Sequence, residues 1–206
     1  MIKNKTVLRE IRGWTVSILG AIVIVSVVNS KVFAKVQVKQ ISMQNTLEDG
    51  QHLILDKLSY NFTDPKRGDI IVFLDGDQKG TIIEDTINSV RLVTGKGNSQ
   101  KRLVKRVIGE PGDEVNIKDG YVYVNGEKLD EPYVKGETNN GEFKLPIKVL
   151  ENQLFVLGDN REASIDSRKF GLINYNKVEG KAVFRIYPFD EIGSIKWKLI
   201  EIDSIN

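Results

Sequence analysis

The 206-residue chain carries 30 basic and 28 acidic residues, a net charge of +2, which lacks the cationic excess that phosphate neutralisation favours. It contains no cysteine and one histidine, His52, which excludes thiol nucleophiles, disulfide frameworks and Cys/His zinc sites. The length suits one catalytic domain with little left over, and no nucleic-acid partner, metal or cofactor is expected.

Trp14 to Val28 is uncharged and follows Lys3, Lys5, Arg9 and Arg12. Its length lies between a secretory-peptide core and a comfortable membrane span, and Val32-Phe33-Ala34 supplies small or apolar residues where a cleavage site would need them. The expectation is an uncleaved single-pass anchor over 13–30 in contact with membrane lipid. A basic cytoplasmic tail, 1–12, would precede it, and an extracytoplasmic catalytic domain, 31–206, would follow.

Beyond the anchor, Val36 and Val38 alternate with Lys35, Gln37 and Lys39, which predicts a strand running toward Ser42. Further strands are predicted at Gln51–Asp56, Asp69–Phe73, Arg102–Ile108, Glu114–Ile117, Tyr121–Val124, Leu154–Leu157 and Lys181–Ile186, with a short helix or turn in Asn174–Glu179. The fold class is mostly β, antiparallel. Asp119-Gly120 and Asn125-Gly126 carry the turn chemistry of tight hairpins. Two stretches, 75–101 and 135–144, are expected to be surface excursions.

Gly158 to Gly171 crowds charged and hydroxyl side chains more densely than a solvated loop requires, so it is a candidate site segment. A serine hydroxyl needs a base, and the candidates here are His52, a carboxylate or a lysine. His52 alternates within an ordinary strand pattern and has no special local company. Lys105 sits among Val104, Val107 and Ile108, where desolvation would favour a neutral amine. Strand alternation permits either Lys105 or Arg106 to face inward.

Four blocks occur in one order: Ser42-Met43-x-x-Thr46-Leu47, Arg67-Gly68-Asp69-Ile70-Ile71-Val72-Phe73, Lys105-Arg106-Val107-Ile108-Gly109-x-Pro111-Gly112-Asp113, and Gly158-Asp159-Asn160-Arg161 through Ser164, Asp166, Ser167, Arg168, Phe170 and Gly171. Together they resemble the bacterial type I signal peptidases over nearly the whole chain, and Arg67-Gly68-Asp69 is not to be read as an adhesion motif. The resemblance implies Ser42 as nucleophile, Lys105 as general base and Ser164 as the hydroxyl orienting the lysine. It also implies a supporting ion network of Asp159, Asp166, Arg106 and Arg168, with Asp166 and Arg168 paired. Met43, Leu47 and Val104 would line the substrate pocket, with Val36 and Val38 as further apolar walls, although a plain core role for these residues is an equal alternative.

The implied activity is cleavage of exported preproteins after small-residue motifs by an acyl-enzyme route. The alternative is a non-catalytic assembly factor that uses the same peptide groove. Two residues depart from the family pattern. Asn45 replaces a proline, which is expected to loosen the turn presenting Ser42. Gln40 replaces a smaller residue and is a candidate oxyanion donor. The long 75–101 segment suggests a restricted substrate class.

Overall fold

The computed structural model describes residues 9–21, 32–75, 101–142 and 144–195. Residues 9–21 are helical, with Trp14, Val16, Ile18 and Leu19 exposed. No helix among the described residues is long and apolar enough to cross a membrane. The expected anchor, 13–30, passes out of the described residues after 21, and the first expected excursion, 75–101, lies outside them apart from its two end residues.

Twelve strands follow the helix among the described residues: β1 (Phe33–Gln37), β2 (His52–Asp56), β3 (Ile70–Leu74), β4 (Arg102–Gly109), β5 (Glu114–Lys118), β6 (Tyr121–Val124), β7 (Glu127–Lys128), β8 (Ile147–Lys148), β9 (Gln153–Leu157), β10 (Ile173–Asn174), β11 (Val178–Tyr187) and β12 (Gly193–Ser194). They form a large sheet in the order β1-β2-β11-β3-β4-β9-β10, with β12 on β11, and a small sheet in the order β7-β6-β5-β8. All the strand pairs are antiparallel, as the alternating sequence patterns predict.

The apolar run of β3 does not alternate because both of its faces are covered. Ile70 and Val72 join Val38, Met43, Leu47, Leu53, Leu55 and Ala182. Ile71 and Phe73 pack with Leu103, Val107, Leu154, Val156, Ile173 and Val178 on the other side. A third cluster, including Ile108, Val115, Val124, Phe155 and Leu157, binds the small sheet to the end of the large one. In the small sheet, Asp119-Gly120 (φ 52° and 81°) and Asn125-Gly126 (φ 54° and 84°) adopt the paired positive φ angles of two-residue hairpin turns.

Several expectations need correction. β1 ends at Gln37, so residues 38–40 reach Ser42 as irregular chain, although Val38 N–H still donates to Gln51 O at 2.8 Å. β11 begins at Val178 instead of Lys181, while the short helix or turn expected in Asn174–Glu179 is present as a 3-10 turn, Tyr175–Lys177, between β10 and β11. The 135–144 segment runs over the surface, exposed except at Thr138 among its described residues, but it is tied down. Lys135 forms a parallel bridge with Asn160, Thr138 is buried, and Glu142 N–H donates to Arg168 O at 2.9 Å. This strap ties the small sheet to the segment that the sequence marks as a site.

Candidate active site

Ser42 lies in a 3-10 turn, Ile41–Met43, at the end of the irregular stretch after β1, and is buried. The turn is closed by the N–H groups of Thr46 and Leu47, which donate to Met43 O at 3.0 and 2.8 Å. Met43 and Leu47 are driven into the core and anchor it from beneath. Asn45 has φ 85°, and its Nδ2 donates to Val134 O at 3.2 Å. Proline, fixed near −65°, cannot occupy that conformation. Asparagine takes this reversal, and its side chain ties the turn to the residue just before the strap.

Lys105 projects from β4, whose neighbours are β3 and β9. Its Nζ donates to Ser42 Oγ at 2.8 Å and to Val104 O at 3.0 Å. Burial pushes this amine down from the ordinary 10.5 to about 8; Asp166 and Asp159 oppose the shift, and Lys101 and Arg168 add to it. Alternation could not choose between Lys105 and Arg106, and both are buried because β4 is covered on both sides.

Around this pair the charges are matched almost atom for atom. Arg106 Nε and Nη2 donate to Asp159 Oδ1 and Oδ2 at 2.8 and 2.6 Å, and its guanidinium lies 3.8 Å from the centre of the Tyr133 ring. Arg168 Nε and Nη2 donate to Asp166 Oδ1 and Oδ2, both at 2.8 Å, and Nη2 also donates to Arg161 O at 2.7 Å. Asp166 further accepts Gly158 N–H at 3.0 Å and caps the short helix Ser167–Phe170 through Arg168 N–H.

Some members of this network were not singled out in the sequence. Arg161, fully buried, donates to Glu131 at 3.0 and 2.6 Å, to Thr138 Oγ1 at 2.6 Å and to Gly158 O at 3.0 Å. Asn160 N–H donates to Ser42 O at 3.0 Å, and its Nδ2 donates to Ile41 O and Gln44 Oε1 at 3.2 and 3.1 Å. Arg185 Nη2 donates to Thr46 O at 3.0 Å, while Nη1 is paired with Glu191. The sequence signals for Asn160 and Arg161 were the density of polar residues in their segment and their place in the fourth block, neither of which gave them a role. Gly158 is required on steric grounds, because an added Cβ would lie 2.2 Å from Ser164 Oγ and 2.5 Å from Ser42 O.

Other expected site residues differ from their predicted roles. Ser164 Oγ is buried next to this crossing but has no hydrogen-bond partner, so the expected bond to Lys105 is not formed; the amine is directed to Ser42 and Val104 instead. Val38, Met43 and Leu47 are core residues at 3%, 1% and 0% exposure, too enclosed to line an open pocket, whereas Val36 and Val104 are half-buried at the rim. Gln40 is half-buried, extended, and makes no side-chain cap. His52 stands away from the pair, its ring 5.2 Å from that of Tyr187. No cluster of three or more metal-ligating side chains occurs among the described residues.

A buried hydroxyl held against a desolvated amine can perform acyl transfer without a histidine. A family model described as "Signal peptidase, peptidase S26" matches residues 11–187. A signal peptidase I from Bacillus licheniformis is 36% identical over 189 residues, covering 87% of this chain and 90% of the relative. A signal peptidase IB from Staphylococcus aureus (strain COL) is 34% identical over 201 residues, covering 89% and 93% respectively. A solved signal peptidase I from Enterococcus faecalis V583 aligns at 32% identity over 58% of this chain and 97% of its own, with a TM-score of 0.39; the assignment rests on the sequence matches.

Proposed function

The chain belongs to the signal peptidase family, peptidase S26, and from that premise we propose that Ser42 and Lys105 are the nucleophile and general base with which it cleaves signal peptides from exported preproteins. The observation that carries the proposal is the 2.8 Å contact between Lys105 Nζ and Ser42 Oγ in a buried setting. With the amine neutral, the hydroxyl donates to the Nζ lone pair and attacks the scissile carbonyl carbon. Lys105 then carries the proton to the departing amine, leaving an acyl ester on Ser42. Water, deprotonated by the same amine, attacks the ester and frees the enzyme.

Ser164 Oγ, without a partner at rest, is the acceptor we assign to the ammonium that forms in each half-reaction. The Ser42 backbone N–H and the Gln40 side-chain amide are the donors proposed for the oxyanion. Asp159, Asp166, Arg106 and Arg168 hold the two blocks in place. The substrate lies along the open edge of β1 as an added strand, where Phe33, Lys35 and Gln37 are exposed. Val38, Met43 and Leu47 fill the space beneath the nucleophile, which favours small side chains before the cut.

The apolar segment 14–28 would hold the enzyme in the membrane with its basic end cytoplasmic and β1 outside. The connecting chain to Ser42 spans about 40 Å at most, which keeps catalysis near the bilayer. The test is incubation of the detergent-solubilised full chain with preproteins from its own source, beside Ser42→Ala and Lys105→Ala. Processing by the wild type alone is expected; equal processing by all three, or by none, overturns the assignment.

A further inference from the structure

We propose that Lys135 and Gln44 form a recognition site for the mature part of the substrate, favouring an acidic residue just after the cleavage point. The inference rests on the reading above, in which the signal peptide lies along β1 and is cut at Ser42. A peptide guided along that edge leaves past the opposite flank of the nucleophile turn, and that flank is built from Gln44, Asn160 and Lys135. Gln44 is two positions beyond Ser42, and Asn160, whose N–H holds Ser42 O at 3.0 Å, is the bridge partner of Lys135. Bridged strands lie about 5 Å apart, so Lys135 is within two strand spacings of the nucleophile.

The flank presents donors to the substrate. Gln44 Oε1 accepts from two groups, Asn160 Nδ2 at 3.1 Å and Lys135 Nζ at 3.1 Å. With the oxygen committed to both, the Gln44 NH2 is turned away from them and makes no hydrogen bond among the described residues. Lys135 is exposed and forms no ion pair among the described residues, and its ammonium keeps two further N–H donors. Glu162, a nearby acidic group, is directed to the Glu137 N–H at 3.4 Å. Donors without acceptors select a ligand that brings oxygen atoms: a main-chain carbonyl for Gln44 and a side-chain carboxylate for the Lys135 cation.

Lys135 is also better fixed than an ordinary surface lysine. Its N–H donates to Asp159 O at 2.8 Å and its carbonyl accepts Arg161 N–H at 2.9 Å, so its backbone is held by the same segment that carries the buried ion pairs. A cation on so rigid a base discriminates by charge rather than by reaching for whatever is near.

The experiment uses detergent-solubilised full-length enzyme and three preproteins that share one signal peptide and carry Asp, Asn or Lys at the second residue of the mature part. The readout is the ratio of kcat/KM for the Asp and Lys substrates in the wild type, Lys135→Gln and Lys135→Glu. An exposed charge pair of this kind corresponds to a preference of about threefold. The wild type is expected to favour Asp by that factor, Lys135→Gln to level the ratio, and Lys135→Glu to reverse it. The wild-type preference is also expected to shrink at about 0.5 M salt, a readout that stands if a variant fails to fold. A wild-type ratio near one, or the same ratio in every variant, overturns the inference while leaving the cleavage reading intact. Failure of the wild type to cut the Asn substrate sinks the cleavage reading itself and this inference with it.

Discussion

Thr46 and Asp159, 113 positions apart in sequence, are joined by a hydrogen bond of 2.5 Å from Thr46 Oγ1 to Asp159 Oδ2, and the same carboxylate neutralises Arg106. The turn that presents Ser42, the proposed nucleophile, is thereby fastened to the strand that carries Lys105, its proposed base. Asp159→Leu strands a buried guanidinium and is expected to cost about 3–5 kcal/mol. Adding Arg106→Leu removes the orphaned charge, so the double variant should be more stable than Asp159→Leu alone. Urea denaturation of the wild type, both single variants and the double variant checks this. Strictly additive losses would mean that the two groups do not act as a pair.

Lys105, the proposed base, is expected to set the pH dependence. Its amine is lowered to about 8 chiefly by burial, so the base is protonated in acid and free above that value. The rate constant for cleavage should rise tenfold per pH unit well below 8 and level off above it. A profile flat from pH 6 to 9 would remove Lys105 from the role of base.

The same burial has a stability cost, and its sign is opposite to that of a salt-bridged lysine. Between pH 8 and 10.5 the unfolded chain binds more protons at this position than the folded one, so stability increases with pH across that window. The full penalty is present below pH 8, and a drop from 10.5 to about 8 corresponds to about 3 kcal/mol. Lys105→Met is therefore expected to be inactive yet more stable than the wild type at pH 6–7, with the difference fading by pH 10 to 11. Denaturant midpoints at several pH values test this, and a variant less stable at every pH would refute it.

Asn45 occupies a left-handed backbone position at φ 85°. Asn45→Gly keeps that conformation and loses only the bond to Val134, so it should retain most of the activity. Asn45→Pro cannot adopt it and should reduce turnover more than tenfold through displacement of the Ser42 turn. Equal activity of the two variants would show that the reversal is unimportant.

Much of this architecture was legible because local signals agreed with one another. Asp119-Gly120 and Asn125-Gly126 form the tight turns that their composition demands, and the alternation in β5 and β6 puts Val115, Ile117, Val122 and Val124 inside. The nucleophile turn was less legible. Val38, Met43 and Leu47 belong to the core because β2, β3 and β11 converge beneath them, a long-range fact that no local spacing records. The roles of Asn160 and Arg161 were not legible for a related reason: their partners lie in Ile41–Gln44 and in Glu131–Thr138, segments distant in sequence. The left-handed backbone at position 45 was not legible either, because the φ of a residue is invisible until its neighbours fix it.

Arg185 holds the carbonyl of Thr46, the residue whose hydroxyl is bonded to Asp159. Of the groups that fasten this turn from outside it, Val134, Asp159, Asn160 and Arg185 all follow Ser42 and Lys105 in sequence. A nascent chain bearing both of those residues would still lack the clasp that seats them. Competence to cut is then acquired as a whole, when the last of these groups has been made, and not when the catalytic pair first exists.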